Sequence, residues 1–129
     1  MTRTPMAGPL SGIHVVLVED HQDSRELFEQ VLRMNGASVT AAASAPAVLG
    51  ALASAHIVIT DIFLPGEDGV WLLAQVQQLP RAIPVIALTG ISPAHDPQLA
   101  AAGFARTFLK PIDPWDLCQV IVEILERGA

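Results

Sequence analysis

The sequence predicts an α/β fold, a doubly wound, five-stranded parallel sheet with five helices packed over its two faces. Two observations carry this expectation. Apolar runs of strand length alternate five times with helix-like segments, which is the pattern of a parallel sheet covered on both sides. The chain has 129 residues, 51% hydrophobic and only 16% charged, so it can bury a real core but has no room for a second domain.

Met1 to Gly12, with two prolines and two glycines, reads as a flexible lead, and the domain is expected over 13–127. Ile13 to Val18 (IHVVLV) is short, β-branched and bounded by Ser11-Gly12 and Glu19-Asp20, as a buried first strand should be. Helix one follows, with Asp23 and Glu26 at capping-box spacing, an apolar stripe of Leu27, Phe28, Val31 and Leu32, and Asn35-Gly36 as its stop. Ser38 to Ala42 is a weaker second strand, and Ala45 to Ala53 a second helix of small residues. His56 to Thr60 (HIVIT) is a third strand running into Asp61. Pro65, Gly66 and Gly69 then impose a loop before a helix from about Val70 to Gln78. Val85 to Leu88 forms strand four, ending at Thr89. Pro93 and Pro97 leave only a short fourth helix, about Gln98 to Ala102, which Gly103 stops. Arg106 to Leu109 is strand five, running into Lys110-Pro111. Asp113 to Arg127 is the fifth helix, with Leu117, Val120, Ile121, Ile124 and Leu125 facing inward.

Several function classes drop out on composition. The uncharged stretch Gly36 to Thr60 is mostly Ala and Ser, broken by Pro46, Gly50 and His56, and is no membrane span. No charged-then-apolar signal opens the chain, and a cytoplasmic location is the default. Cys118 is alone, which rules out an internal disulfide and disfavours a cysteine metal site. A net charge of −6 argues against nucleic acid as a direct partner. Six of the seven bases are Arg, and Lys110 is the one lysine.

In an open parallel sheet the ligand site lies beyond the carboxyl ends of the strands, where the strand order reverses. For the order 2-1-3-4-5 that point falls between strands one and three. Glu19 and Asp20 end strand one, Asp61 strand three, Thr89 strand four and Lys110 strand five. Three clustered carboxylates repel one another and call for a cation. Hard oxygen ligands with positions left for water suit Mg²⁺. An Asp beside such a cation and a lysine is a competent nucleophile toward a phosphoryl group, whose developing charge both would neutralise. The Thr89 hydroxyl can add a hydrogen bond.

Four motifs now stand in order at the strand ends: Glu19-Asp20 after VVLV, Asp61-Ile62-Phe63-Leu64-Pro65-Gly66-Glu67-Asp68-Gly69, Leu88-Thr89-Gly90 and Leu109-Lys110-Pro111. Together they resemble the receiver domain of two-component response regulators, over about Ile13 to Arg127. The resemblance implies a flavodoxin-like sheet and a phosphorelay function. Asp61 would take the phosphoryl group from the phosphohistidine of a histidine kinase or histidine phosphotransfer protein. Asp20, Asp61 and the backbone carbonyl of Phe63 would bind Mg²⁺, with Glu19 assisting through water. Thr89 and Lys110 would contact the bound phosphoryl group, and Gly90 would leave it room. The chemistry is that of a switch with slow self-dephosphorylation, not of a metabolic enzyme. Alternatives are a phosphorylation-independent interaction module, a receiver cut from a hybrid kinase or DNA-binding regulator, and an Asp-nucleophile phosphohydrolase. Phe63, where such a hydrolase wants an acid, counts against the last.

Two departures from the family pattern follow. Thr107 occupies the position of the usual aromatic three residues before the lysine, and alternation should turn Phe108 to the other face. Phe63 and Ile91, two residues after Asp61 and Thr89, are apolar and cannot orient a hydrolytic water by hydrogen bonding, which predicts slow loss of the phosphoryl group. His14, His21, His56 and His95 carry no zinc spacing and read as strand, loop or helix-start residues. Trp115, Cys118 and Val122 fall beside the core stripe of the fifth helix. They form either an apolar strip for an output partner or homodimer, or rings folded over their own helix; Trp71 poses the same choice.

Overall fold

A computed structural model describes residues 8–92 and 96–127, with positions 100 and 127 described by their backbone alone. The elements are β1 (His14–Val18), α1 (Gln22–Met34), β2 (Ser38–Ala42), a 3₁₀ helix η1 (Pro46–Ser54), β3 (Ile57–Asp61), α2 (Gly69–Gln77), β4 (Val85–Thr89), α3 (Pro97–Ala101), β5 (Arg106–Leu109) and α4 (Pro114–Arg127). The five strands form one sheet in the order β2-β1-β3-β4-β5, and every pairing is parallel.

Strand alternation divides the core into layers. Val15, Leu17, Ile57, Ile59, Ile86 and Leu88 pack with Phe28, Val31 and Leu32 of α1 and Leu117, Cys118 and Ile121 of α4. Val16, Val18, Val58 and Val85 face the other way, onto Val48 and Leu52 of η1 and Leu72, Leu73 and Val76 of α2. Because β3 and β4 are buried along their whole length, they read in sequence as unbroken apolar runs. Each aliphatic side chain wholly buried this way contributes roughly 1.5–3 kcal/mol.

Several local expectations need correction. Asp23 and Glu26 form no capping box: His21 is the N-cap of α1 and makes no side-chain cap bond. Glu26 accepts instead from Gln22 Nε2, at 2.9 Å, across one helical turn. Leu27 leaves the apolar stripe and is half exposed, while Phe28, Val31 and Leu32 are buried. The second helix is 3₁₀ rather than α. Pro46, at the first position, is tolerated by any helix, but Gly50 weakens an α-helix, so the burial of Val48 and Leu52 holds the segment in place of helix propensity.

The lead is packed where it is described. Leu10 is 1% exposed, and its N–H donates to the Asn35 carbonyl at 2.8 Å. Gly36 permits this twice over. Its φ of 100° ends α1, and a Cβ there would come within 3.0 Å of the backbone N of Gly8 and Ser11. Among the described residues no helix is long and apolar enough to cross a membrane. The stretch 36–60 resolves into β2, η1 and β3.

Candidate functional site

Parallel register delivers the polar residues to one rim. Val18 pairs with Thr60, Asp61 with Leu88, and Thr89 with Leu109. Residues 19, 61, 89 and 110 therefore all emerge at the carboxyl end of the sheet. The loops after β1, β3 and β5 are tied back by backbone bonds from Glu19 N to Ala42 O at 3.1 Å, Ile62 N to Leu88 O at 2.9 Å and Lys110 N to Thr89 O at 2.7 Å. Gly69 opens α2 directly beneath the loop after β3: a Cβ there would collide with the Asp61 carbonyl oxygen. Asp68 caps that helix, accepting from Trp71 N at 2.9 Å.

Glu19 and Asp61 are buried, Thr89 is buried, and Asp20 is exposed at the mouth. Glu19, Asp20 and Asp61 each offer a carboxylate oxygen within 4.8 Å of the others. Lys110 Nζ lies 2.8 Å from Asp61 Oδ1 and 3.1 Å from Glu19 Oε1. Glu19 Oε2 accepts the His21 N–H at 3.0 Å. Buried Oδ2 of Asp61 has no hydrogen-bond partner among the described residues. Thr89 Oγ1 accepts from Ile91 N at 3.1 Å, which leaves its hydroxyl hydrogen for another acceptor.

The electrostatics are those of an under-neutralised pocket. Burial, together with the Glu19 carboxylate, pushes Asp61 up to about 8, while Lys110 pulls the other way. Burial also opposes ionised Glu19, but bonds from Asp61, the His21 N–H and Lys110 outweigh it and hold Glu19 below its usual value. Lys110 is raised because its bonds to Asp61 and Glu19 exceed the effect of its partial burial. The two acids thus act as a coupled pair that keeps one proton. Once that proton leaves, three carboxylates against one ammonium carry two negative charges, the complement of a divalent cation. The all-oxygen donor set fits Mg²⁺.

Beside the acids a cleft of about 480 Å³ is walled by Ser24, Leu27, Phe28, Pro111 and Ile112. The sequence of 15–122 matches the profile of the response regulator receiver domain family. The chain belongs to that family. A 14.6 kDa protein of Leptolyngbya boryana is 32% identical over 117 residues, covering 87% of this chain and 89% of its own. The transcriptional regulatory protein YbdJ of Bacillus subtilis is 30% identical over 119 residues, covering 92% of this chain. This receiver domain spans 53% of the length of YbdJ. A CheY-like response regulator receiver domain from Methanospirillum hungatei JF-1 superposes with a TM-score of 0.79 at 27% identity, over 88% of this chain and 94% of that one.

Every predicted polar site residue of the receiver domain lies at the rim, although Asp20 differs from its buried neighbours in facing solvent. Phe63 and Ile91, two residues after Asp61 and Thr89, are 58% and 51% exposed. A Cβ at Gly90 would meet nothing within 4 Å, so the protein itself imposes no need for glycine there. The strip on the fifth helix is corrected. Cys118 is 4% exposed and Val122 packs against the core, which leaves Trp115, at 52%, as its exposed part. Burial also raises the Cys118 thiol to about 11, which makes it a packing residue. Trp71 is half-buried against the α2 layer. His14 binds Thr40 Oγ1 at 2.8 Å and His56 Nδ1 accepts from His14 N at 2.9 Å, so both serve the sheet margin. His95 lies outside the described residues. Sequence reasoning missed Arg25, whose Nη1 donates to the Glu19 carbonyl at 3.0 Å.

Proposed function

We propose that Asp61 is the phosphoacceptor of a two-component relay, taking its phosphoryl group from the phosphohistidine of a histidine kinase or histidine phosphotransfer protein in the cytoplasm. The observation that carries this reading is the pair of Asp61 oxygens: Oδ1 is held by Lys110 at 2.8 Å, and buried Oδ2 has no hydrogen-bond partner among the described residues. A side chain so placed has one oxygen fixed and one left to react.

In the transfer, an Asp61 oxygen attacks phosphorus. The new O–P bond forms as the P–N bond breaks, and the donor imidazole leaves. Lys110 neutralises charge on the phosphoryl oxygens, and the Thr89 hydroxyl donates to one of them. Asp20, Asp61 and the Phe63 carbonyl would hold Mg²⁺, with Glu19 assisting through water. When bound, the ion would supply further neutralisation of those oxygens and displace the proton the acid pair retains. The apolar Phe63 and Ile91 side chains leave hydrolytic water unoriented, so self-dephosphorylation is slow. The output is altered partner binding, in which Trp115 serves either an output protein or a homodimer.

The test is incubation with a small phosphodonor such as acetyl phosphate, with and without Mg²⁺. An acid-stable, base-labile adduct that requires Mg²⁺ and is absent from Asp61→Asn is expected. No adduct on the wild type, or an undiminished one on Asp61→Asn, overturns the assignment.

A further inference from the structure

We propose that Arg25 is a positioning residue for the cation site: by holding the Glu19 carbonyl it fixes the peptide that carries Asp20, and so sets the affinity for Mg²⁺. The inference rests on the reading above and carries it into the same site.

Asp20 is the exposed member of the acid cluster and depends on its neighbours for its place. Besides the Lys110 contact to its Oε1 at 3.1 Å, Glu19 is held at three points. Its N–H reaches Ala42 O, its Oε2 takes the His21 N–H, and its carbonyl takes the Arg25 guanidinium at 3.0 Å. Only the last acts on the peptide joining Glu19 to Asp20. That unit is planar, so anchoring its oxygen orients the Asp20 Cα. The anchor is firm because Arg25 lies at the start of α1, its own N–H bonded to the His21 carbonyl at 2.9 Å.

Charge does not account for Arg25. Arg33 pairs with Glu29 and Arg106 with Glu123, whereas Arg25 has no carboxylate within ion-pair distance among the described residues. Near a helix N-terminus a cation gains nothing from the macrodipole. The groups that shift Glu19 and Asp61 are burial, each other, the His21 N–H and Lys110, without Arg25. Its one recorded role is the bond to a carbonyl.

Position and charge predict opposite signs. A nearby cation repels Mg²⁺, so removing charge alone would tighten binding; removing the anchor loosens it. Titrating the full chain with MgCl₂ by calorimetry, Arg25→Met should bind about tenfold more weakly, as expected for loss of a group that orients a ligand. Arg25→Lys keeps the charge but lacks the planar fork, and should bind several-fold more weakly; it also serves if the Met variant fails to fold. Affinity equal to or above wild type in the folded variant overturns the proposal. So does a lower melting temperature in EDTA with unchanged Mg²⁺ affinity, the mark of a merely structural role. Asp61→Asn is titrated alongside. If the wild type binds Mg²⁺ and loses it in Asp61→Asn while the Arg25 variants match wild type, only this inference falls; if the wild type binds none, the site reading falls with it.

Discussion

Without a divalent cation, this receiver domain should lose stability as pH rises from about 4 to 8, the reverse of what ion-paired carboxylates usually do. The sign follows from Asp61. Its folded pKa of about 8 lies above its ordinary value of 3.8, so within that window the native state binds more protons than the unfolded chain. Unfolding free energy then falls with increasing pH. Four units at about 1.4 kcal/mol each set a ceiling near 6 kcal/mol for Asp61 taken alone. Glu19 is shifted down, so its contribution is gained at and below its unfolded value of 4.5 and is complete above it, offsetting only the acid edge of the window. A net decline of roughly 2–4 kcal/mol remains for the coupled pair, equivalent to about 10 °C in melting temperature for a domain of this size. Thermal unfolding in EDTA at pH 5, 6, 7 and 8 measures it. Asp61→Asn removes the titrating group, and should flatten the profile and exceed wild type at pH 8 by about 2 kcal/mol. Saturating Mg²⁺ should stabilise the wild type more at pH 8 than at pH 5, because binding must expel the retained proton. Equal pH slopes for wild type and Asp61→Asn in EDTA would refute the reasoning.

Three shorter predictions accompany it. Phosphorylated wild type should persist far beyond seconds, and Phe63→Asn or Ile91→Glu should speed its decay by about tenfold by orienting water; decay within seconds, unaltered by either change, counts against the role given to these side chains. Gly69→Ala should cost roughly 1–3 kcal/mol by denaturant unfolding, since its Cβ lands on the Asp61 carbonyl and the nearby Ile62 Cα, and should slow phosphorylation by moving Asp61. Trp115→Ala should leave phosphorylation by acetyl phosphate unchanged; sedimentation at high concentration then shows whether its exposed ring joins two copies, and a monomer before and after substitution excludes the dimer.

What the sequence conveyed well were features set by period and by punctuation. The strands β3 and β4 announce themselves because burial on both faces demands continuous apolar residues. The rim could be read because each strand stops where a charged or hydroxyl residue begins, as at Val18-Glu19 and Leu109-Lys110. Contacts formed by tertiary neighbours were less accessible. The capping box at Asp23 failed because Glu19, outside the helix, takes the His21 N–H and so helps set where α1 begins. Leu10 looked loose in a segment rich in Gly and Pro, yet Gly36, 26 positions later, makes the gap in which it packs. A helix wheel could not separate Cys118 from Trp115, since both lie beside the stripe. Contact with α1 and the sheet buries the first and leaves the second in solvent.

The β5 strand shows how one register position alters what a receiver face is made of. Phe108 pairs with Leu88 and Thr107 with Ala87. Leu88 belongs to the layer under α1 and α4, and Phe108 packs there with it, as alternation from the sequence requires. Ala87 faces the opposite layer, with Ile62 and Leu99, so on that face β5 presents a threonine in place of a ring. The ring that packs against these three residues comes from Phe104, before the strand begins. Ile62 adjoins Asp61 in the chain, and Leu99 is buried on the five-residue α3. The apolar contacts between the loop after Asp61 and that short helix therefore run through Phe104 and Ala87, and a side chain moving on β5 itself has no aromatic bulk on this face with which to transmit a change.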